Sequence, residues 1–334
     1  MSGFTFDLEK GMADAVFGKC QNPIKYFIEQ RGEEFEKNSL LKSLFHMATI
    51  DNYGAEIHTM GSMSGFEPGV ANSAYPAASL EESFSKFIKM VEWKNSFSLS
   101  ASAMEDGVMM DLTDKPAHFM TSYERTREKF GAKIFAGAMA GKKSIQYGKM
   151  HFDITGADGR PLFCKEHPSK FNDSKQCNVF SDEFSVEALD AVESEMHLFK
   201  DDNGEILDVA PDTILIPEDP VLKRQVFAVI GADKDPVTSN NGFNYQYGRW
   251  NITVWPYLNQ FLEKGLKPWM LIDSAFNQKY KGAVWLDRIK LAVKSTIDDN
   301  TDANVWRGRS RYNAGINDWR FAALGGFAGG EALV

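Results

Sequence analysis

The sequence is poor in cysteine and lacks long apolar runs. Cys20, Cys164 and Cys177 are the only cysteines among 334 residues, and so small and odd a number favours a reducing compartment over a disulfide-stabilised fold. No run of 18 or more apolar residues occurs, so we expect no helix that spans a membrane. The N-terminus has neither a basic start nor an apolar segment, and we therefore expect no secretory signal.

Short motifs with an assignable chemistry are also missing. The patterns GxGxxG, GxSxG, HExxH and DxDxDG do not occur, and there is no phosphate-binding P-loop. The segment GADGRPLF at 156–163 is more simply a tight turn between strands. We therefore predict a protein that is not an enzyme, with no catalytic residues, no cofactor and no metal.

A metal site or a reactive thiol has only weak support. Cys164 and His167, followed by Cys177, faintly resemble a metal cluster, but zinc sites usually use four ligands in two close pairs. No fourth ligand lies nearby, and no residue stands out as a base that would activate Cys164. Incidental loop residues are the simpler interpretation.

The charge is acidic, with a formal net charge of −9 at pH 7. Tight binding of nucleic acid requires a basic surface, so we do not expect this protein to bind DNA or RNA strongly. A wall that encloses DNA without adhering to it could well be acidic. The acidic pairs 201–202 and 298–299 lie in turn-like contexts, where solvated loop charges are more common than a calcium or magnesium site. A hydrophobic content of 43% is typical of a globular protein with one large or two medium domains.

Six of the seven tryptophans lie in the last quarter of the chain. They occur in strand-like runs separated by turn residues, such as WNITVWPYLN and ANVWRGRSRYNAGINDWRFAALGG. No catalytic signature accompanies them. We predict that these aromatic side chains provide contact area for a large partner.

Three arginines alternate in this region, Arg307, Arg309 and Arg311. A strand would place them on one face, because successive side chains point to opposite sides. The other face would then carry Trp306, Gly308, Ser310 and Tyr312. Two interpretations remain open, a solvated sheet face and a row of arginines that meets carboxylates of another subunit in planar pairs.

The first quarter of the chain contains little that forms a core by itself. Residues 5–46 are predicted to be helical in two pieces, with a break near Gly18 to Pro23. Residues 47–85 have no lysine or arginine and are rich in Gly, Ser, Ala and Met, which favours an extended two-stranded arm with a glycine-rich tip. Adaptable contact residues are expected in this arm, namely Met60, Met63, Phe66 and Tyr75.

The middle of the chain combines helices and strands. A strand is predicted over 86–102, with Phe87, Val91, Trp93 and Phe97 on one face. The next elements are a helix over 114–140 capped by Asp114, a turn-rich region with short strands over 144–180, and a helix capped by Ser185. From Ser185 onward the order helix, strand, helix, strand, strand indicates a mixed α+β unit.

This order of parts resembles the HK97-fold major capsid proteins of tailed bacteriophages, and within them the Mu-type major head subunit group. The resemblance covers nearly the whole chain. It depends on long stretches: SMSGFEPGVANSAYP, SYERTREKFGAKIFAGAMAG, DVAPDTILIPEDP, SNNGFNYQYGRWNITVWPYL and NTDANVWRGRSRYNAGINDWR.

The resemblance implies an α+β fold of HK97 type with defined parts. These are an N-terminal arm (1–46), an extended E-loop over a neighbouring subunit (47–85), a peripheral P-domain (86–184 and 290–327) with a spine helix at 116–140, an axial A-domain (185–289) and a C-terminal tail (328–334). It also implies hexamers and pentamers in an icosahedral shell around phage double-stranded DNA. A separate scaffolding protein, a portal and assembly in the bacterial cytoplasm would complete the virion, and no membrane is involved.

The sequence departs from some relatives in two ways. Some of them cross-link their shells through an E-loop lysine, but this chain has no lysine between Lys42 and Lys86. Others begin with a long scaffolding extension, whereas the arm here is expected to start almost at once.

Three alternatives to a major capsid protein remain open. They are an encapsulin-type compartment, a metabolic enzyme with its site in the α+β unit, and a tail or baseplate protein.

Overall fold

The protein folds around two four-stranded β-sheets and a long helix that share a hydrophobic core. The computed structural model describes residues 28, 30–32, 34–35, 39–59, 83–102, 109–231, 244–263 and 265–326, with the backbone alone at 109–113. Within these ranges, no helix combines the length and apolar character needed to cross a bilayer.

Five α-helices, one 3-10 helix (Pro256–Gln260) and fourteen strands have defined bounds in these ranges. The helices are α1 (Leu41–Leu44), α2 (Met109–Met139), α3 (Val186–His197), α4 (Pro220–Ile230) and α5 (Ser274–Tyr280). The first eight strands are β1 (His46–Thr49), β2 (Gly54–His58), β3 (Ser85–Lys89), β4 (Val91–Leu99), β5 (Ser144–Tyr147), β6 (Met150–Asp153), β7 (His167–Pro168) and β8 (Lys175–Gln176). The others are β9 (Thr213–Ile216), β10 (Asn251–Val254), β11 (Trp269–Ile272), β12 (Ala283–Ile297), β13 (Asn304–Ile316) and β14 (Ala322–Gly325).

The larger sheet has the strand order β1-β12-β13-β4 and packs one face against α2. Its long strands β12 and β13 are antiparallel, and the short β1 adds parallel to β12. The predicted start of the helix at Asp114 is wrong, because α2 begins at Met109 and contains both Asp114 and Pro116. Its end is confirmed, since Gly141 adopts a φ of 66° just beyond the last turn. The helix is about 46 Å long at 1.5 Å per residue.

The smaller sheet has the order β10-β9-β11-β14 and forms the core of the mixed unit. The predicted cap of α3 is confirmed, since Ser185 Oγ accepts from the Ala188 amide. The α4 helix is capped by Asp219, which was not predicted as a cap. The sequence KPWMLIDSAF predicts a strand, but only its first part is β11. Asp273 accepts from the Phe276 amide at 2.7 Å and starts α5, because an aspartate at this position satisfies an otherwise unpaired donor.

The tryptophans of the last quarter lie in the core, so the predicted aromatic contact surface is wrong. All six are at most 8% exposed: Trp250, Trp255, Trp269, Trp285, Trp306 and Trp319. Trp285 and Tyr312 stack with their ring centroids 5.2 Å apart. Large aromatic side chains contribute more free energy when they leave water than when they stay exposed, and this fold has room for them between sheets and helix.

The predicted strand over 86–102 is two strands in two different sheets. β3 pairs with β2 in a separate two-stranded ribbon, whereas β4 joins the larger sheet beside β13. Val91, Trp93 and Phe97 do share the inner face of β4. Phe87 does not, since it lies on β3 and is 50% exposed.

Most of the helical prediction over 5–46 lies outside the described residues. Ile28, 30–32 and 34–35 are helical, and Ile28 is buried. The helical prediction is wrong at its end, because α1 stops at Leu44 and His46 already belongs to β1.

Candidate assembly surface and loop base

The outer face of the larger sheet concentrates positive charge. Arg307 and Arg309 are exposed and Arg311 is half-buried, and the residues between them are buried. The predicted alternation along β13 is therefore confirmed. Lys94 of β4 lies opposite Arg309, and Lys294 of β12 lies opposite Arg307. These five cations define the surface that we call the basic face.

Glu92 is the acidic member of the basic face. Its Oε1 lies 2.5 Å from Nε of Arg309, and its Oε2 lies 2.8 Å from Nζ of Lys94. The hydrogen bond from Lys94, together with the nearby arginine charges, lowers the pKa of Glu92. No described residue forms an ion pair with Arg307 or Lys294 within 4 Å. Cations therefore outnumber carboxylates on this face by a wide margin.

An open groove of about 720 Å³ runs between the basic side chains. Arg307, Arg309 and Lys294 line its sides, and the small residues Ala292 and Gly308 lie between them. Because guanidinium groups bind carboxylates in planar, bidentate pairs, the groove suits an extended acidic segment.

A buried ion pair joins the opposite face of the sheet to the long helix. Arg127 of α2 donates to both carboxylate oxygens of Asp287 at 2.9 and 3.0 Å. Its guanidinium carbon lies 4.9 Å from the ring centroids of both Trp285 and Tyr312. Burial alone would lower the pKa of Arg127, but the influence of Tyr123 and Asp287 outweighs it and raises that pKa. This pairing fixes the sheet on the helix and so holds the basic face in one orientation.

The predicted two-stranded arm over 47–85 is confirmed only in part, because β2 pairs with β3, which extends to Lys89, while residues 47–49 belong to β1 of the larger sheet. The ends of this ribbon are anchored. Just beyond β2 and β3, the Thr59 amide donates to the Phe84 carbonyl at 2.8 Å, and Thr59 Oγ1 donates to Ser83 Oγ at 2.7 Å. Ser83 Oγ in turn donates to the carboxylate of Asp202. Asp202 also accepts from Nη2 of Arg320 at 2.8 Å. Thr59, through Ser83, and Ser83 itself are therefore linked to one buried carboxylate, that of Asp202.

The interpretation of the pair 201–202 as solvated loop charges is wrong. Asp202 is 1% exposed and Arg320 is 3% exposed. Arg320 also lies 3.3 Å from Asp318, and these two carboxylates raise its pKa against the opposing effect of burial. The pair 298–299 differs, because it lies at the tip of the β12–β13 hairpin and Asp299 is exposed.

Several predicted contact residues cannot be placed on either surface. Met60, Met63, Phe66 and Tyr75 lie outside the described residues, so their role stays a prediction. No local pattern pointed to Arg127, Asp287 or Arg320, and Asp202 was noticed only as one of an acidic pair, because the Arg127–Asp287 and Arg320–Asp202 contacts join residues 160 and 118 positions apart.

The weak metal candidate around His167 is a structural contact. His167 is buried, with Nδ1 2.7 Å from Oδ2 of Asp158 and Nε2 3.2 Å from Oδ1 of Asn178. Its ring stacks on Trp319 at a centroid distance of 4.2 Å, whereas Cys177 is exposed. Among the described residues, no group of three His, Cys, Asp or Glu side chains is arranged to hold a metal ion. His167 and Cys164 are therefore part of the core, and the interpretation as incidental loop residues is wrong for His167.

Comparison with solved structures identifies the fold. The mature capsid of bacteriophage PhiM1 has a TM-score of 0.50 at 9% identity, covering 85% of this chain and 86% of that chain. The capsid of cyanophage P-SCSP1u has a TM-score of 0.52 at 10% identity, covering 86% and 87%. The capsid of the native GTA particle has a TM-score of 0.51 at 10% identity, covering 86% and 90%. At these identities the likeness shows the fold alone, and it confirms the predicted α+β fold of HK97 type.

The family is shown by the sequence itself. A family model described as phage capsid protein matches residues 83–324, which is most of the chain. No curated protein matches the sequence. The placement in the Mu-type group stays a prediction. The chain belongs to the phage capsid protein family and is a structural protein of the virion.

Proposed function

We propose that this capsid protein self-assembles into hexamers and pentamers, which close into an icosahedral shell around phage double-stranded DNA. The observation that supports contacts between subunits is the basic face, because Arg307 and Lys294 have no ion-pair partner among the described residues. Exposed cations gain little free energy from isolated pairs, but many copies of one moderate contact add up in a closed shell.

The partner on the basic face is a carboxylate-bearing segment of a neighbouring copy. Segment 60–82 suits this role by charge, since it contains Glu67, Glu81 and Glu82 and no lysine or arginine. Met60, Met63, Phe66 and Tyr75 would supply its apolar contacts. In this arrangement 47–85 is the E-loop, which acquires its partner only on association.

The remaining segments take roles by the same analogy. Residues 1–46 form the N-terminal arm, 86–184 with 290–327 form the P-domain around α2, and 185–289 form the A-domain. A separate scaffolding protein and a portal complete assembly in the host cytoplasm. The net charge of −9 suits a wall that encloses DNA without binding it tightly, and we expect no catalytic activity.

The test is to purify the protein and follow its size by light scattering and negative-stain microscopy. Wild-type protein is expected to form closed megadalton particles. A variant in which a short Gly-Ser linker replaces 60–82, so that β2 and β3 remain, is expected to give a folded subunit that does not close shells. Normal particles from that variant, or a compact wild-type monomer under all assembly conditions, would contradict the proposal.

A further inference from the structure

Three distant parts of the chain meet at the base of segment 60–82. Ser83 lies before β3, Asp202 lies in the loop after α3, and Arg320 lies before β14. Ser83 Oγ donates to one carboxylate oxygen of Asp202 and Arg320 donates to the other. Arg320 Nε also donates to the Lys200 carbonyl at 2.9 Å, which fixes its position. We call Ser83, Asp202 and Arg320 the base clamp.

Further contacts hold the same point from other sides. Lys170 Nζ donates to the Ser83 carbonyl at 2.7 Å. Ser169 Oγ donates to the Asp202 carbonyl at 2.8 Å, a hydrogen bond to the loop after α3 that involves neither strand end. Asn317 Nδ2 donates to the carbonyl of His58 at 3.2 Å. The end of each strand is thus held by side chains from elsewhere in the subunit, in addition to the ladder between the strands.

A two-stranded ribbon is only marginally stable by itself, and the backbone ladder between β2 and β3 does not fix the position of its ends. A buried ion pair is costly to desolvate and is weak evidence for a purely stabilising role. Its best-supported use is to select one arrangement over others. Here the buried pair of Asp202 and Arg320 would fix the positions at which the chain leaves Thr59 and returns at Ser83.

We propose that the base clamp fixes Thr59 and Ser83 in the free subunit, so that the two points at which the chain leaves and re-enters the ribbon are already set when a neighbouring copy arrives. Asp202, Arg320 and Ser83 are then positioning residues for assembly. Pre-organisation of a contact segment lowers the ordering cost of association and so raises the affinity. This inference rests on the proposed function, in which that segment contacts a neighbour.

The test compares two serine variants of the full-length protein. Ser83→Ala removes the hydroxyl that links the strand end to Asp202. Ser169→Ala is the matched control, because it removes a hydrogen bond to the Asp202 main chain and leaves the strand end untouched. Two measurements are made on each, hydrogen exchange at the Thr59 amide in free subunits and the rate of shell formation.

We expect Ser83→Ala to accelerate exchange at the Thr59 amide and to slow shell formation, each by about fivefold, the factor that corresponds to the loss of one net hydrogen bond. Ser169→Ala should change both by less than about twofold. Equal effects of the two variants, or an unchanged exchange rate in Ser83→Ala, would overturn the inference.

A second pair of variants covers the possibility that Ser83→Ala does not fold. Thr59→Val removes the hydroxyl that bonds to Ser83 but keeps the shape, whereas Thr59→Ser keeps the hydroxyl. Slower assembly with Val and near-normal assembly with Ser supports the clamp, and equal behaviour of the two contradicts it. If wild-type subunits form no shells, the proposed function fails, but hydrogen exchange at the base still decides whether the clamp exists.

Discussion

The two faces of the larger sheet use the same strands for different purposes. On the inner face of β13, Trp306 and Tyr312 are fully buried against the rest of the core. On the outer face, Arg307 and Arg309 are exposed and surround an open groove. Because side chains alternate along a strand, one sequence of thirteen residues can supply both a core and a binding surface. Folding and the proposed assembly contact therefore depend on different faces of one sheet, and mutations should affect one without the other.

The largest effect on subunit stability is expected from Asp287→Ala on the inner face. This change leaves the guanidinium of Arg127 buried without its partner, and loss of one member of a buried pair costs about 3–5 kcal/mol. Denaturant unfolding of the free subunit measures this loss. The matched control is Glu92→Ala on the outer face, which also removes an arginine partner but leaves the midpoint of unfolding unchanged. Similar unfolding midpoints for the two variants would show that the two faces do not differ in their contribution to the stability of the subunit.

A smaller loss of subunit stability is expected from Gly308→Ala, a change next to the exposed Arg307 but on the inner face. A Cβ at position 308 would overlap Cζ of Phe119 on α2, so the helix or the ring must move. Overpacking of this kind typically costs about 1–3 kcal/mol. The double variant with Phe119→Leu should recover part of the loss in the same unfolding measurement. Additive losses in the double variant would show that this contact is not the cause.

The sequence predicted one of these two faces better than the other. Alternation along 305–312 is a local pattern, so it placed Arg307, Arg309 and Arg311 on one side without knowledge of the partner strands. The contact of Arg127 with Asp287 joins residues 160 positions apart, and no local pattern reports such a pair. The same reason hid Asp202 and Arg320, because a carboxylate in a turn looks solvated until the rest of the chain covers it.

The tryptophan prediction failed for a related reason. A strand rich in Trp, Val and Ile is compatible with burial on one face or on both, and the periodicity of a single strand does not show what packs against it. The helix α2 and its neighbours cover Trp285 and Trp306, so these rings offer no exposed area for a partner. The overall order of elements, by contrast, was predictable, since it depends on local signals such as Ser185 and the buried strand Thr213–Ile216.

A pH-dependent effect is expected at Glu128, which follows Arg127 on α2. Its carboxylate accepts from Ser39 Oγ at 2.5 Å and from Trp255 Nε1 at 3.0 Å, and burial raises its pKa above the ordinary value. The folded state therefore binds a proton more readily than the unfolded state. The stabilising contribution of this proton is complete below the unfolded pKa and is lost as the pH rises through the folded pKa.

Glu128→Gln should remove that pH dependence. Relative to wild type, the variant is expected to gain stability as the pH rises from about 4 toward neutrality, by about 1.4 kcal/mol for each unit by which the two pKa values differ. Thermal unfolding midpoints measured across this range test the sign. A constant difference between the two proteins at every pH would show that the carboxyl group does not titrate differently in the folded and unfolded states.

The smallest effect on subunit stability, and the sharpest separation of the faces, is expected from reversing the charges of Arg307 and Arg309. These exposed side chains contribute little to the fold, so the double variant Arg307→Glu and Arg309→Glu should unfold within about 0.5 kcal/mol of wild type. Assembly should nevertheless be strongly reduced, because the groove would then repel the carboxylates of the neighbouring copy.

The variant with lysine at both positions keeps the charge but loses planar pairing, and it should assemble at an intermediate rate with a steeper dependence on salt. Particle yield by light scattering and unfolding by denaturant are measured on the same preparations. If the glutamate variant forms shells as fast as wild type, the basic face is a solvated surface and the contact lies elsewhere.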